Sequence, residues 1–177
     1  MEYDLINIKI DMGYNKVFWK VVFFSIIILF SGCKPKPTEI KVYFPNHIWD
    51  YFNQMDATFE IDKINRVYEV AVSLGVVDGF ELEEVPLEMV ITSPDGQENI
   101  INTTIVVKKD GNYLGKVYGD IWTTELVVYS EKQFSSIGTY SVHIQNRTHY
   151  RDLYKTESLS FIVRPGKKTR VKNENCL

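Results

Sequence analysis

The side chains able to do covalent, acid–base or metal chemistry are few and scattered. There are three histidines, His47, His143 and His149. His143 lies between Val142 and Ile144 in an alternating run, which turns it away from the apolar face. Neither a His-x-x-x-His pair nor a carboxylate–histidine cluster accompanies it, so no metal site is expected. Glu81, Glu83, Glu84 and Glu88 form an acidic cluster, but without the ligand spacing of a calcium loop. A solvated loop and strand edge is the reading that cluster supports. Gly-x-Ser-x-Gly, phosphate-loop and dinucleotide glycine patterns are all missing from the chain. No catalytic residue, no cofactor and no enzymatic activity are therefore expected. The balance of 20 Lys plus Arg against 23 Asp plus Glu gives a net charge of −3. Nucleic-acid binding through a cationic surface is excluded on that count, because phosphate affinity needs clustered positive charge.

The residue with the clearest chemical destiny is Cys33. Two cysteines in the chain, Cys33 and Cys176, allow neither a zinc framework nor a disulfide scaffold. Ahead of Cys33 runs a basic and aromatic stretch, Lys16 to Lys20, then an apolar run, Val21 to Phe30. Small residues Ser31 and Gly32 close it. This is the layout of a secretory signal, and the apolar run is shorter than the roughly 20 residues a membrane span needs. Phe30-Ser31-Gly32-Cys33 resembles the lipobox of bacterial lipoproteins. A diacylglycerol on the Cys33 thiol would supply two acyl chains, enough for stable anchoring. Residues 1–32 are thus expected to be a signal peptide, with Met12 a candidate initiator because Glu2, Asp4 and Asp11 spoil a positive leader. Residues 33–38, with Pro35 and Pro37, form a stiff lipidated tether. Residues 165–177 are a polar, basic tail.

Aromatic side chains offer another chemistry, stacking on sugar faces. Trp49, Tyr51, Tyr113, Tyr118 and Trp122 sit in or near turns. Rings beside glycine turns more often plug the ends of a sandwich, so a carbohydrate-binding lipoprotein is the second reading. Tyr140, entering a strand after Gly138, has the setting of a tyrosine corner whose hydroxyl bonds back to the main chain.

The elements that position these residues have a period of two. Ile40, Val42 and Phe44 alternate, as do Phe59 and Ile61, then Tyr68, Val70, Val72 and Leu74. Leu87, Met89 and Ile91 form the next run, followed by Ile101, Thr103, Ile105 and Val107. A short strand over Leu126–Tyr129, then Tyr140, Val142 and Ile144, then Leu159, Phe161 and Val163 complete the set. Turns fall at Ser93-Pro94-Asp95-Gly96 and Lys109-Asp110-Gly111-Asn112, and residues 75–84 and 146–155 read as loops. The expectation is all-β: a single antiparallel β-sandwich, Ig-like or jelly-roll-like, of about eight strands over residues 39–164.

The stretch from Asp110 to Ile121, reading Asp-Gly-Asn-Tyr-Leu-Gly-Lys-Val-Tyr-Gly-Asp-Ile, resembles the signature of the gliding motility lipoprotein GldH family of Bacteroidetes. Phe44-Pro45-Asn46 with Trp49, the Ser93–Gly96 turn, and Phe134, Gly138 and Tyr140 fall in the family's order. Tyr113 and Val117 depart from it, standing where the family commonly has Trp and Gly. The resemblance implies a non-catalytic envelope lipoprotein that works with other motility or type IX secretion proteins. Lys34-Pro35-Lys36-Pro37 lacks the acidic run that often follows the cysteine of surface-exported lipoproteins in Bacteroidetes, which favours an outer-membrane anchor facing the periplasm. Tyr113, Leu114, Gly115, Gly119, Asp120 and Ile121 are the candidate partner-binding loop, with the Asp120 carboxylate expected to cap local amides.

Overall fold

A computed structural model describes residues 37–166. Cys33, the signal segment, Met12 and most of the basic tail lie outside the described residues. The chain forms β1 (Thr38–Tyr43), a 3-10 turn (Pro45–His47), β2 (Ile48–Asp50), β3 (Met55–Ile61), β4 (Tyr68–Val77) and β5 (Glu84–Thr92). There follow β6 (Glu98–Val106), β7 (Lys108–Lys109), β8 (Asn112–Tyr113), β9 (Lys116–Tyr118) and β10 (Ile121–Lys132). The last three are β11 (Gly138–Asn146), β12 (Asp152–Tyr154) and β13 (Thr156–Pro165). Among the described residues no helix is long and apolar enough to cross a membrane.

The fold is all-β and antiparallel, but the expected single eight-stranded sandwich is not what forms. Among the described residues thirteen strands divide into four sheets. A five-stranded sheet has the order β1-β13-β4-β10-β9 and a four-stranded sheet the order β3-β11-β5-β6. Two-stranded pairs, β2 with β12 and β7 with β8, sit in segments that sequence periodicity leaves as loops. Strands of two or three residues carry no readable period, so composition alone could not reveal them. The Leu126–Tyr129 strand is likewise part of the much longer β10.

The two larger sheets share one core. Val70, Val72 and Leu74 of β4 and Leu159 and Phe161 of β13 are buried with Leu87, Met89, Val142 and Ile144 of the opposite sheet. Phe59 of β3 meets Phe161 of β13 across the sheets, ring centroids 5.1 Å apart. Those positions are the alternating apolar residues of the sequence, because one face of each strand must leave water. Tyr140 behaves as a corner: its hydroxyl donates to the Ser136 carbonyl (3.1 Å) and accepts from the Ser136 amide (3.2 Å). Its ring packs edge-on to Phe134 at 4.9 Å.

Candidate functional site

The candidate loop is not a loop but two tight hairpins in succession. Asp110 and Gly111, at φ 51° and 76°, are the two central residues joining β7 to β8. A two-residue turn with both φ positive is the type I′ geometry that Asp-Gly favours. Gly119 (φ 64°) and Asp120 join β9 to β10, with Tyr118 opposite Ile121. Glycine at the first central position is what a type II′ hairpin requires. Glu83, from the acidic cluster, holds the first hairpin: its carbonyl accepts the Val107 amide (2.7 Å) and its carboxylate accepts the Gly111 amide (3.1 Å).

Between the hairpins the chain lies flat on β10. Gly115 (φ 87°) sits so close that a Cβ there would be 2.1 Å from the Thr123 carbonyl oxygen. The Leu114 amide donates to Val107 O (2.8 Å), and Thr124 Oγ1 donates to Leu114 O (3.0 Å). Tyr113 stacks on Trp122 at 5.0 Å and 10°, and Lys108 Nζ stands 4.6 Å above the Tyr113 ring. The same ammonium hydrogen-bonds the Phe80 carbonyl. Val117 lies in β9 opposite Trp122, in extended backbone that a β-branched residue suits.

Of the candidate residues, Tyr113, Trp122 and Gly115 are therefore scaffold. Asp120 is engaged through its backbone carbonyl, which accepts the Asp78 amide (3.0 Å). That corrects the expectation of a capping carboxylate: the side chain is exposed, and the tight turn itself aims the carbonyl at the neighbouring loop. Ile121 is the half-buried first residue of β10. Leu114, Val117 and Tyr118 are exposed, Tyr118 by 90%.

Trp49 is not a free sugar platform, and Tyr113 covers one face of Trp122. Trp49 is fully buried, stacked on Phe44 at 5.0 Å, with Nε1 donating to Asn53 O (2.6 Å). His143 pairs at the surface with Asp56 (2.7 Å).

Strand register places the hairpins relative to the start of the described chain. Thr38 pairs with Val163, which pairs with Val70. Val77 pairs with Ile121, which pairs with Tyr118. The Gly119–Asp120 turn is thus at the end of the five-stranded sheet opposite Thr38, seven residues of β4 away, or roughly 23 Å. At this same end lies a groove of about 350 Å³, lined by Phe80, Leu82, Tyr150, Tyr154 and Lys155. Sequence reading missed it. Its residues come from two segments read as loops, and only their concentration of tyrosines hinted at an exposed surface.

The GldH lipoprotein family model matches residues 38–163, which span both hairpins and both larger sheets. The chain belongs to that family. A curated relative, the gliding motility lipoprotein GldH homolog of Christiangramia forsetii, is 28% identical over 129 residues. The match covers 70% of this chain and 76% of that relative. Among solved structures, the infectious bursal disease virus VP2 subviral particle is similar at 12% identity with a TM-score of 0.35. It covers 75% of this chain, which spans about a third (34%) of the viral chain, and at that overlap carries no argument.

Proposed function

We infer that the chain is a lipid-anchored, non-catalytic component of the gliding motility machinery associated with type IX secretion. It acts as a structural or assembly factor in the cell envelope, held by a diacylglycerol on Cys33 in the outer membrane and facing the periplasm. The observation that carries this reading is the polarity of the five-stranded sheet. A tether arriving at Thr38 leaves the signature hairpins at the far end, roughly 23 Å along the strands. There Leu114 and Tyr118 are exposed on backbone that the Glu83 bonds and the Gly115 contact hold rigid. Binding residues on a rigid scaffold suit a protein partner, because little order must be created on association.

Co-purification of the full lipidated chain with other motility and type IX proteins tests this. Tyr118→Ala with Leu114→Ala is expected to reduce partner recovery about tenfold, the loss of one modest interface anchor. Equal recovery from the variant and the parent would overturn the assignment of the partner face. Deletion of the gene is expected to reduce surface spreading and type IX cargo export together; loss of neither would overturn the motility role.

A further inference from the structure

One edge of the four-stranded sheet is left open. β6 pairs with β5 alone, in unbroken register from Glu84 opposite Val106 to Thr92 opposite Glu98. The phase of that ladder can be read from its two ends. The Val107 amide donates to Glu83 O (2.7 Å), and the Ser93 amide donates to Gln97 O (2.9 Å). Odd-numbered residues of this strand therefore direct their N–H and C=O toward β5. In an antiparallel ladder the alternate residues face the other way. Glu98, Ile100, Asn102, Thr104 and Val106 thus present their main-chain donors and acceptors to the open edge. Among the described residues no backbone bond outside the β5 ladder engages them.

The other outer strands are guarded. β9 has three residues, β1 carries Glu39 and Lys41, and β3 carries Asp56 and Glu60. Short length and charge are the usual devices against edge pairing. β6 has nine residues, no bulge, and a single charge, Glu98, at its first position. Its outer face also leaves Ile100 exposed by 59% and Val106 by 37%.

We propose that β6 pairs antiparallel with the β6 of a second copy of this chain, about a twofold axis at Asn102. In that register Asn102 faces its own counterpart, Ile100 faces Thr104 of the second copy, and Glu98 faces Val106. All five open-edge residues meet open-edge residues, so every exposed donor finds an acceptor. No like charges are opposed, and Ile100 gains a β-branched neighbour across the join. The two four-stranded sheets become one continuous eight-stranded sheet. The strand lies along the side of the domain, and the pairing does not depend on the partner proposed for the signature hairpins.

Cysteine cross-linking in membranes of cells carrying the full lipidated chain, with Cys176→Ser as background, tests both the pairing and its register. Residues directly opposed in a bonded pair have Cα atoms roughly 5.5 Å apart, within disulfide reach. Asn102→Cys is expected to give a disulfide-linked adduct of two chains on mild oxidation. Ile100→Cys alone and Thr104→Cys alone are expected to give none, since each lies roughly 14 Å from its own copy. Co-expressing those two variants is expected to restore the adduct. Asn102→Asp opposes two like charges on the axis and is expected to lower the dimer fraction about tenfold in detergent. The absence of an Asn102→Cys adduct, equal adducts from all three single variants, or an adduct with a different protein would each overturn the proposal.

Discussion

Gly115 and Gly119 share a positive φ but have different surroundings. At Gly119 (φ 64°) nothing lies within 4 Å of where a Cβ would stand, so alanine meets only the left-handed penalty of roughly 1–2 kcal/mol. At Gly115 (φ 87°) alanine meets that penalty and also the Thr123 carbonyl at 2.1 Å, which is main chain and cannot swing aside. Gly119→Ala is expected to lower unfolding stability by about 1 kcal/mol, and Gly115→Ala by about 3 kcal/mol or more. Urea denaturation ranks them, and a ranking in the reverse order would contradict the geometry. Both glycines are plain in the sequence, and so is the turn at Gly119. The close approach at Gly115 is not, because Thr123 reaches it only after the β9–β10 hairpin has closed.

At the scale of strands, Arg164 on β13 ties three strands together, its own, β4 and β10. It donates to Glu69 on β4 (2.8 Å) and forks onto Glu125 on β10 with two bonds of 2.6 Å. The Arg164 hydrogen bonds hold the Glu125 carboxyl below its ordinary 4.5, while partial burial opposes them. A carboxyl depressed in the folded state contributes stability above its unfolded value and loses it as pH falls through the folded one. The side chains are about a third exposed (35% and 38%), so water screens the pair and its worth is about 1 kcal/mol. Arg164→Ala is expected to cost about that much at pH 7, and progressively less as pH drops below 4.5; thermal unfolding across pH 3 to 7 measures it. A deficit that stayed constant with pH would assign the effect to packing alone. The same strand shows where periodicity stops being legible. β10 has register shifts after Val127 and after Tyr129, and Glu125 interrupts its apolar residues. Each shift exchanges the inward and outward positions, so only Leu126–Tyr129 reads as a strand.

For the whole molecule, strand register puts Thr38 and the exposed signature hairpins at opposite ends of the five-stranded sheet. Cys33→Ala is expected to release the protein from the membrane fraction on carbonate washing, because in the proposed anchor one thioether would carry both acyl chains. Retention at the parent level would sink the lipid-anchor reading. The sequence by itself determined the all-β class, the inward-facing residues of the long strands, the Tyr140 corner, the turns at Gly96 and Gly111, and the family. All of these depend on neighbours within a few positions, where side-chain alternation and backbone conformational preference act. Only the tertiary structure decided that the described residues form thirteen strands in four sheets, that Trp49 is buried, and that Asp120 is engaged through its carbonyl. It alone placed the hairpins opposite Thr38 and left β6 as an open edge. Those features depend on which strand lies beside which, and pairing joins residues far apart in the chain through main-chain bonds that every residue type can make.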